Sequence, residues 1–105
     1  MPRIRYSEAS RQDLIRAYAF LEVYDSSVAS RAVSTIVSNI EGLLKNPYSG
    51  SPVDDRPRVR KLVVAFGATG YLVFHQYYEL DDTSLILAIL HQKELYDANL
   101  VGLNA

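Results

Sequence analysis

Residues 85–90 read Leu-Ile-Leu-Ala-Ile-Leu, an unbroken apolar run that ends at the polar His91. A strand with one solvated face alternates apolar and polar residues, whereas a strand covered on both faces is apolar throughout. The run therefore predicts a central β-strand with side chains packed against each of its faces. The rest of the chain has to supply the neighbouring strands and the covering layer.

Two further segments rich in strand-forming residues precede this run. Residues 60–66 are β-branched and apolar, residues 67–70 read Gly-Ala-Thr-Gly, and residues 71–80 are again rich in strand formers. Short turns join antiparallel neighbours, so the second half of the chain predicts a three-stranded antiparallel meander. Residues 3–7 alternate polar and apolar side chains and predict a short, half-buried first strand.

The segment between residues 10 and 45 predicts two helices. Ser10 followed by Asp13 has the spacing of a capping box and predicts the first helix start. Apolar residues then recur at helical spacing along that helix: Leu14, Tyr18, Leu21 and Val23 or Tyr24. The second helix carries a continuous apolar stripe of Ala29, Val33, Ile36, Val37, Ile40, Leu43 and Leu44. A short polar break at residues 25–27 joins the two helices into an antiparallel hairpin.

The predicted fold is α+β, with the order β-α-α-β-β-β and the helical hairpin packed on a mainly antiparallel sheet. Residues 46–58 predict an ordered surface loop, and residues 93–102 predict a short C-terminal helix.

The 105 residues make a single domain, and a content of 49% hydrophobic and 22% charged residues is typical of a globular chain. No apolar run is long enough for a transmembrane helix and no signal peptide precedes the domain, so a cytoplasmic location is predicted.

Charge argues against a dedicated nucleic-acid-binding domain, because the formal net charge is −1 whereas such domains are strongly basic. Four of the eleven cations nevertheless cluster at Arg56, Arg58, Arg60 and Lys61. Charged residues on a strand edge prevent unwanted pairing. Alternatively, these four residues form a patch for an acidic partner or a phosphate.

Few residues are suited to catalysis or metal binding. The chain has no cysteine, and its two histidines, His75 and His91, are not spaced as a zinc-binding helical pair. We therefore predict no metal and no cofactor. His91, at the end of a strand, is either a general base or a histidine hydrogen-bonded to the backbone at the sheet edge.

Several segments together resemble the RelE/ParE family of bacterial type II toxins. They are residues 4–9 with Asp13-Leu14, the loop Asn46-Pro47 to residues 50–53, residues 59–64, Phe66-Gly67, residues 70–74, and the closing Leu87-Ala88-Ile89-Leu90-His91-Gln92-Lys93-Glu94. The resemblance spans nearly the whole chain, and its most specific part, the closing segment, is most similar to the ParE-like branch. It implies the same fold that the periodicity predicts.

The resemblance implies one of two toxic activities. RelE-like members cleave mRNA on the ribosome with clustered basic residues, whereas ParE-like members inhibit DNA gyrase by binding. Leu72 and Leu90 stand where nuclease relatives carry arginine, and an RNA-cleaving site needs fixed cations. We therefore favour a gyrase inhibitor. The alternatives are an endoribonuclease that uses His91, Arg60, Lys61 and Lys93, and a non-toxic decoy that only binds antitoxin.

The resemblance also implies a cognate antitoxin whose disordered tail folds on the toxin. We expect that tail to contact Phe20, Tyr24, Arg56, Arg58, Arg60 and Lys61, with Phe20 exposed because it lies off the apolar face. We expect the toxic target, DNA gyrase, to be contacted by His91, Gln92, Lys93, Glu94 and Tyr96. Neither a membrane nor direct sequence-specific nucleic-acid binding is expected for the toxin alone.

Overall fold

The computed structural model describes residues 1–93. This part of the chain forms a five-stranded sheet with two helices on one face. Its elements are β1 (Arg3–Tyr6), α1 (Glu8–Glu22), α2 (Ser26–Glu41), β2 (Ser51–Val53), β3 (Arg56–Phe66), β4 (Thr69–Tyr78) and β5 (Thr83–His91). The strand order is β1-β5-β4-β3-β2, in which β1 is parallel to β5 and the other neighbours are antiparallel. The α+β prediction is confirmed, while the predicted helix at residues 93–102 lies almost wholly outside the described residues.

Strand β5 is the central strand that the apolar run predicts. It lies between β1 and β4. On the helix side, Ile86 and Ile89 join one hydrophobic cluster, and on the opposite side Ala88 and Leu90 join a second cluster. All four side chains are buried. The absence of polar alternation in this strand thus has its expected cause, burial on both faces.

The main core lies between the helices and the sheet. Its helical contribution comes chiefly from α2, whose Ala32, Ile36 and Ile40 are completely buried against Val64 and Ile86 of the sheet. Burying a side chain the size of isoleucine contributes roughly 1.5–3 kcal/mol. Helix α1 adds a narrower contact through three half-buried side chains, Leu14, Ala17 and Leu21. No helix within residues 1–93 is long and apolar enough to cross a membrane.

Helix α1 begins three residues earlier than predicted, because Ser7 and not Ser10 is its N-cap. The Ser7 hydroxyl oxygen accepts a hydrogen bond from the Ser10 backbone N–H at 3.1 Å and the hydroxyl donates to the Leu87 carbonyl at 3.1 Å. Ser10 is fully buried within the first turn. The capping-box prediction is therefore wrong. Ser7 and Ser10 are equally suitable N-cap residues by sequence. The hydrogen bond from the Ser7 hydroxyl to the Leu87 carbonyl in the sheet favours Ser7.

The end of α1 also departs from the predicted apolar face. The helix ends at Glu22, so Val23 and Tyr24 lie beyond it with 81% and 77% of their surfaces exposed. Tyr18 is half-buried. The helical spacing of these apolar residues therefore continues past the point where the helix stops.

Residues 46–58 are ordered, as predicted, but they contain more than a loop. Strand β2 lies within them, and β3 begins at Arg56 and not at Arg60. A proline-containing strand of three residues shows no alternation and is tolerated at a sheet edge, where β2 lies. Gly50 precedes β2 with φ +89°, and a Cβ at this position would lie 2.3 Å from the Lys61 carbonyl oxygen. Glycine is thus required where the loop passes over β3.

Candidate functional site

A cleft of about 640 Å³ lies between α1 and the end of the sheet at which β5 stops and β3 turns into β4. Gly67 and Ala68 form the two-residue connection between β3 and β4, since Phe66 pairs with Thr69. Gly67 has φ +63°, which a tight hairpin connection favours. The cleft is lined by Asp13, Arg16, Ala17, Phe20, Leu21, Phe66, Gly67, Thr69, Tyr71, Ile89, His91 and Lys93.

Asp13 fixes one wall of this cleft by joining α1 to β5. Strand β1 pairs with β5 only as far as Ile86, so no strand within residues 1–93 lies beside the remaining edge of β5 on that side. The Ile89 backbone N–H on this edge donates instead to Asp13 Oδ2 at 2.9 Å. Asp13 Oδ1 accepts from Arg16 Nη1 at 3.0 Å. A helix carboxylate therefore takes the place of a strand carbonyl and satisfies a buried backbone donor.

His91 lies at the base of the cleft in a defined orientation. Its ring makes an edge-to-face contact with Tyr71, with centroids 5.4 Å apart. Its Nδ1 accepts from the Lys93 backbone N–H at 3.2 Å, and this contact assigns the ring hydrogen of the neutral imidazole to Nε2, which lies 3.0 Å from Thr69 Oγ1. His91 therefore donates to Thr69. This half-buried histidine is hydrogen-bonded to the backbone, as one of the two sequence-based interpretations expects.

The residues of the alternative nuclease site are not brought together. Arg60 pairs across the sheet with His75, whereas His91 pairs with Tyr71, four residues earlier on β4. This offset is about 13 Å along the strand. Lys61 follows Arg60 on β3 and so lies on the opposite face of the sheet. Lys93 lies beside the cleft with His91.

The two positions at which the resemblance implies arginine in RelE-like nucleases lie inside an apolar layer in this chain. Leu72 and Leu90 are direct cross-strand partners on β4 and β5. Both belong to the second hydrophobic cluster, together with Phe74 and Ala88, on the face of the sheet opposite the helices. A hydrophobic cluster occupies the place where a phosphate-binding site would need cations.

The predicted basic patch does not form a single surface. Arg58 and Arg60 are two residues apart on β3 and share one face, while Lys61 lies on the other face. Arg60 is half-buried, donates through Nη2 to the Gly50 carbonyl at 3.1 Å and lies 6.0 Å from the centre of the Tyr48 ring. Arg60 thus anchors the loop before β2. Arg58 is exposed, and Arg56 is half-buried at the start of the strand.

The predicted antitoxin-binding aromatic residues are both exposed, and Phe20 lines the cleft. Phe20 has 66% of its surface exposed, which confirms the prediction of its exposure. The Phe20 and Tyr24 rings pack edge to face with centroids 5.9 Å apart. Of the predicted target-binding residues, His91 and Lys93 line the cleft and Gln92 is exposed beside it. Glu94 and Tyr96 lie outside the described residues.

A second group of polar side chains lies at the far end of the sheet. His75 is fully buried, with Nε2 3.0 Å from the Ser49 carbonyl, and burial lowers the pKa of its imidazole. Tyr77 donates to Asp82 at 2.7 Å, and this hydrogen bond is the main cause that raises the pKa of Tyr77 to about 12. Tyr48 packs edge to face on Tyr77. These contacts hold the loop at residues 46–50 against the sheet.

Sequence reasoning missed the residues that shape the cleft from the sheet and helix. The sequence pattern places Asp13 in a helix cap and places Phe66, Thr69 and Tyr71 only in strands and turns. The position of Asp13 beside the apolar face of α1 was the one available signal, since a carboxylate there has to meet a buried donor.

No group of three or more potential metal-ligating side chains is present among the residues that the structure describes.

Comparisons with known proteins identify the fold and the family. The family model described as "ParE toxin of type II toxin-antitoxin system, parDE" matches residues 4–96. A solved structure described as "Chromosomal ParDE TA system from P. aeruginosa" is similar over 87% of this chain and 96% of that chain, with a TM-score of 0.70 and 20% sequence identity. No curated protein matches. Because the family model covers most of its length, the chain belongs to the ParE toxin family of type II toxin–antitoxin systems.

Proposed function

We propose that this protein is a toxin that inhibits DNA gyrase by binding and that a cognate antitoxin neutralises it in the cytoplasm. The observation that carries this proposal is the apolar pair Leu72 and Leu90, which fills the place of the nuclease arginines. The separation of Arg60 from His91 supports the same conclusion. A binding mechanism needs a complementary surface and not a reactive group, which fits a cleft whose histidine is engaged with Thr69.

The geometry also suggests how an antitoxin would neutralise the toxin. Phe20, which we expect the antitoxin to cover, lines the same cleft as His91 and Lys93, which we expect the target to contact. A folding tail seated on Phe20 and Tyr24 would therefore occupy the space that gyrase needs. Large exposed aromatic side chains are the usual anchors of such interfaces. Neutralisation by direct exclusion follows, without any change in the toxin fold.

Expression of the chain without antitoxin tests the target. We expect induction of the DNA-damage response and filamentation, and inhibition of supercoiling when the purified protein is added to DNA gyrase. Immediate arrest of translation with cleaved mRNA would show that the protein is instead a ribosome-dependent nuclease. Normal growth at a verified protein level would show a non-toxic decoy.

A matched pair of α1 variants tests the antitoxin surface. Phe20→Ala removes the rim aromatic, whereas Ile15→Ala removes a similarly exposed side chain, about 140° away around the helix. Loss of a buried aromatic anchor typically costs 2 kcal/mol or more of binding, about 30-fold in affinity. We expect this loss for Phe20→Ala and almost none for Ile15→Ala. Equal affinities for both variants would exclude Phe20 from the interface.

A further inference from the structure

The cleft beside α1 has the features of a small-molecule site. Tyr71 and Ile89 at its base are 5% and 2% exposed, while Phe66 and Phe20 form its apolar sides. Sites for small molecules are concave, mainly apolar, and roughly 300–1,000 Å³ in volume, with a few polar groups that converge on one point. The volume of about 640 Å³ lies within this range.

The polar groups available in the cleft favour an anion. Thr69 Oγ1 accepts the Nε2 hydrogen of His91, so the hydroxyl hydrogen of Thr69 is left to donate, and it has no acceptor among residues 1–93. Lys93 adds an ammonium group on an exposed side chain at the same end of the cleft. Asp13 is already paired with Arg16 and with the Ile89 backbone N–H, so its negative charge is compensated. Within residues 1–93, the Thr69 hydroxyl donor and the Lys93 cation therefore remain for a ligand.

We propose that this cleft binds a free small molecule of one chemical class, an amphiphilic anion with a compact aromatic or branched aliphatic body and a single carboxylate-type head. The body lies between Phe20, Phe66 and Tyr71. The head accepts the Thr69 hydroxyl hydrogen and pairs with the Lys93 ammonium. Only the biological consequence rests on the proposed function: because Phe20 and Lys93 line the cleft, the ligand would compete with antitoxin and target.

Titration of the full chain with naphthalene-2-carboxylate tests the site directly, with naphthalene-2-carboxamide as the uncharged match. Backbone amide chemical shifts in ¹H–¹⁵N spectra report where each compound binds. We expect saturable shifts at Thr69, Ile89 and Lys93 with the carboxylate. The carboxamide keeps the apolar body but loses the charge, so we expect it to bind about 10-fold more weakly.

Three variants assign the contacts. Thr69→Val keeps the side-chain shape and removes the donor, and we expect about 10-fold weaker carboxylate binding, since hydrogen bonds to charged groups are strong. Lys93→Gln should weaken the carboxylate about 3-fold and leave the carboxamide unchanged, as expected for an exposed ion pair. Lys45→Gln removes a similar exposed charge outside the cleft and should change neither. Thermal unfolding of each variant establishes that it is folded.

Three results would overturn the proposal. The first is the absence of saturable shifts up to millimolar carboxylate with a folded protein. The second is equal binding of both compounds with no effect of Lys93→Gln, which would indicate non-specific apolar adsorption. The third is shifts in the cleft only on addition of antitoxin or gyrase, which would make the cleft a protein contact surface alone. Each of these readouts is independent of whether gyrase is the toxic target.

Discussion

Replacement of Asp13 tests whether a helix side chain completes the edge of β5. Asp13→Leu removes the acceptor of the Ile89 N–H while keeping a similar side-chain size, and Asp13→Asn keeps a neutral oxygen. The hydrogen bond is 2.9 Å long, and Asp13 keeps only 13% of its side-chain surface exposed. A hydrogen bond to a charged group contributes about 1.5–3 kcal/mol, and an unsatisfied buried donor costs a similar amount. We therefore expect Asp13→Leu to lower the free energy of unfolding by about 2–3 kcal/mol.

Urea denaturation followed by circular dichroism measures this change. A loss of about 2 kcal/mol corresponds to a fall in Tm of about 10 °C for a chain of this size. Asp13→Asn should lose only about half as much, because its amide oxygen still accepts. Glu22→Gln, which removes an exposed carboxylate from the end of the same helix, is the control and should change stability by less than about 0.5 kcal/mol.

Amide hydrogen exchange at Ile89 distinguishes the local cause from a general loss of stability. In the native protein this N–H is bound to Asp13, so we expect it to exchange slowly. In Asp13→Leu it should exchange much faster than the amides of β4, because only its own partner is lost. The reasoning would be refuted if Asp13→Leu and Asp13→Asn had equal stability, or if Ile89 stayed equally protected in both.

Three other predictions concern the far end of the sheet, the turns and the basic residues. Gly50→Ala should destabilise the protein by several kcal/mol in urea titrations because its Cβ would meet the Lys61 carbonyl, whereas Gly67→Ala, with positive φ but open space, should cost only about 1 kcal/mol. Since burial lowers the pKa of His75, the unfolded chain takes up its proton first as pH falls below about 6.5. Stability should thus be complete above that pH and decline below it, with a smaller decline in His75→Gln; equal pH profiles would contradict this. Arg58→Glu should slow association with antitoxin and flatten its salt dependence, and an unchanged rate would remove Arg58 from the interface.

The spacing of apolar residues predicted those helices and strands whose buried side chains repeat at regular intervals. The apolar run of β5 and the apolar stripe of α2 each repeat over enough residues that packing and local pattern agree. Strand β2 and the start of β3 could not be recognised in the same way. Strand β2 has only three residues, one of them a proline, and is too short to show alternation of polar and apolar residues. Strand β3 (Arg56–Phe66) begins with charged residues, which are as typical of a loop as of an edge strand.

The cleft could be predicted only in part, because it depends on contacts between residues far apart in sequence. Phe20 was predicted to be exposed from its position off the apolar face of α1, and it is. The contact of Asp13 with Ile89 spans 76 residues and depends on where β1 stops pairing with β5. Likewise, Arg60 and His91 both lie in the sheet and have side chains suited to a nuclease site. Only the strand register, which cannot be read from the sequence, shows that they lie far apart.

The parallel pairing of β1 with β5 has a consequence for how the domain assembles. It joins residues about 80 positions apart, as in the hydrogen bond from Ser7 to Leu87. Closing a loop of that length costs about 2 kcal/mol more conformational entropy than closing a ten-residue hairpin. During synthesis the two helices are complete long before β5 exists, so their apolar faces have no sheet to cover them. The cleft, whose base is made by β5, is therefore among the last features of the molecule to form, and any ligand of the cleft recognises only fully folded toxin.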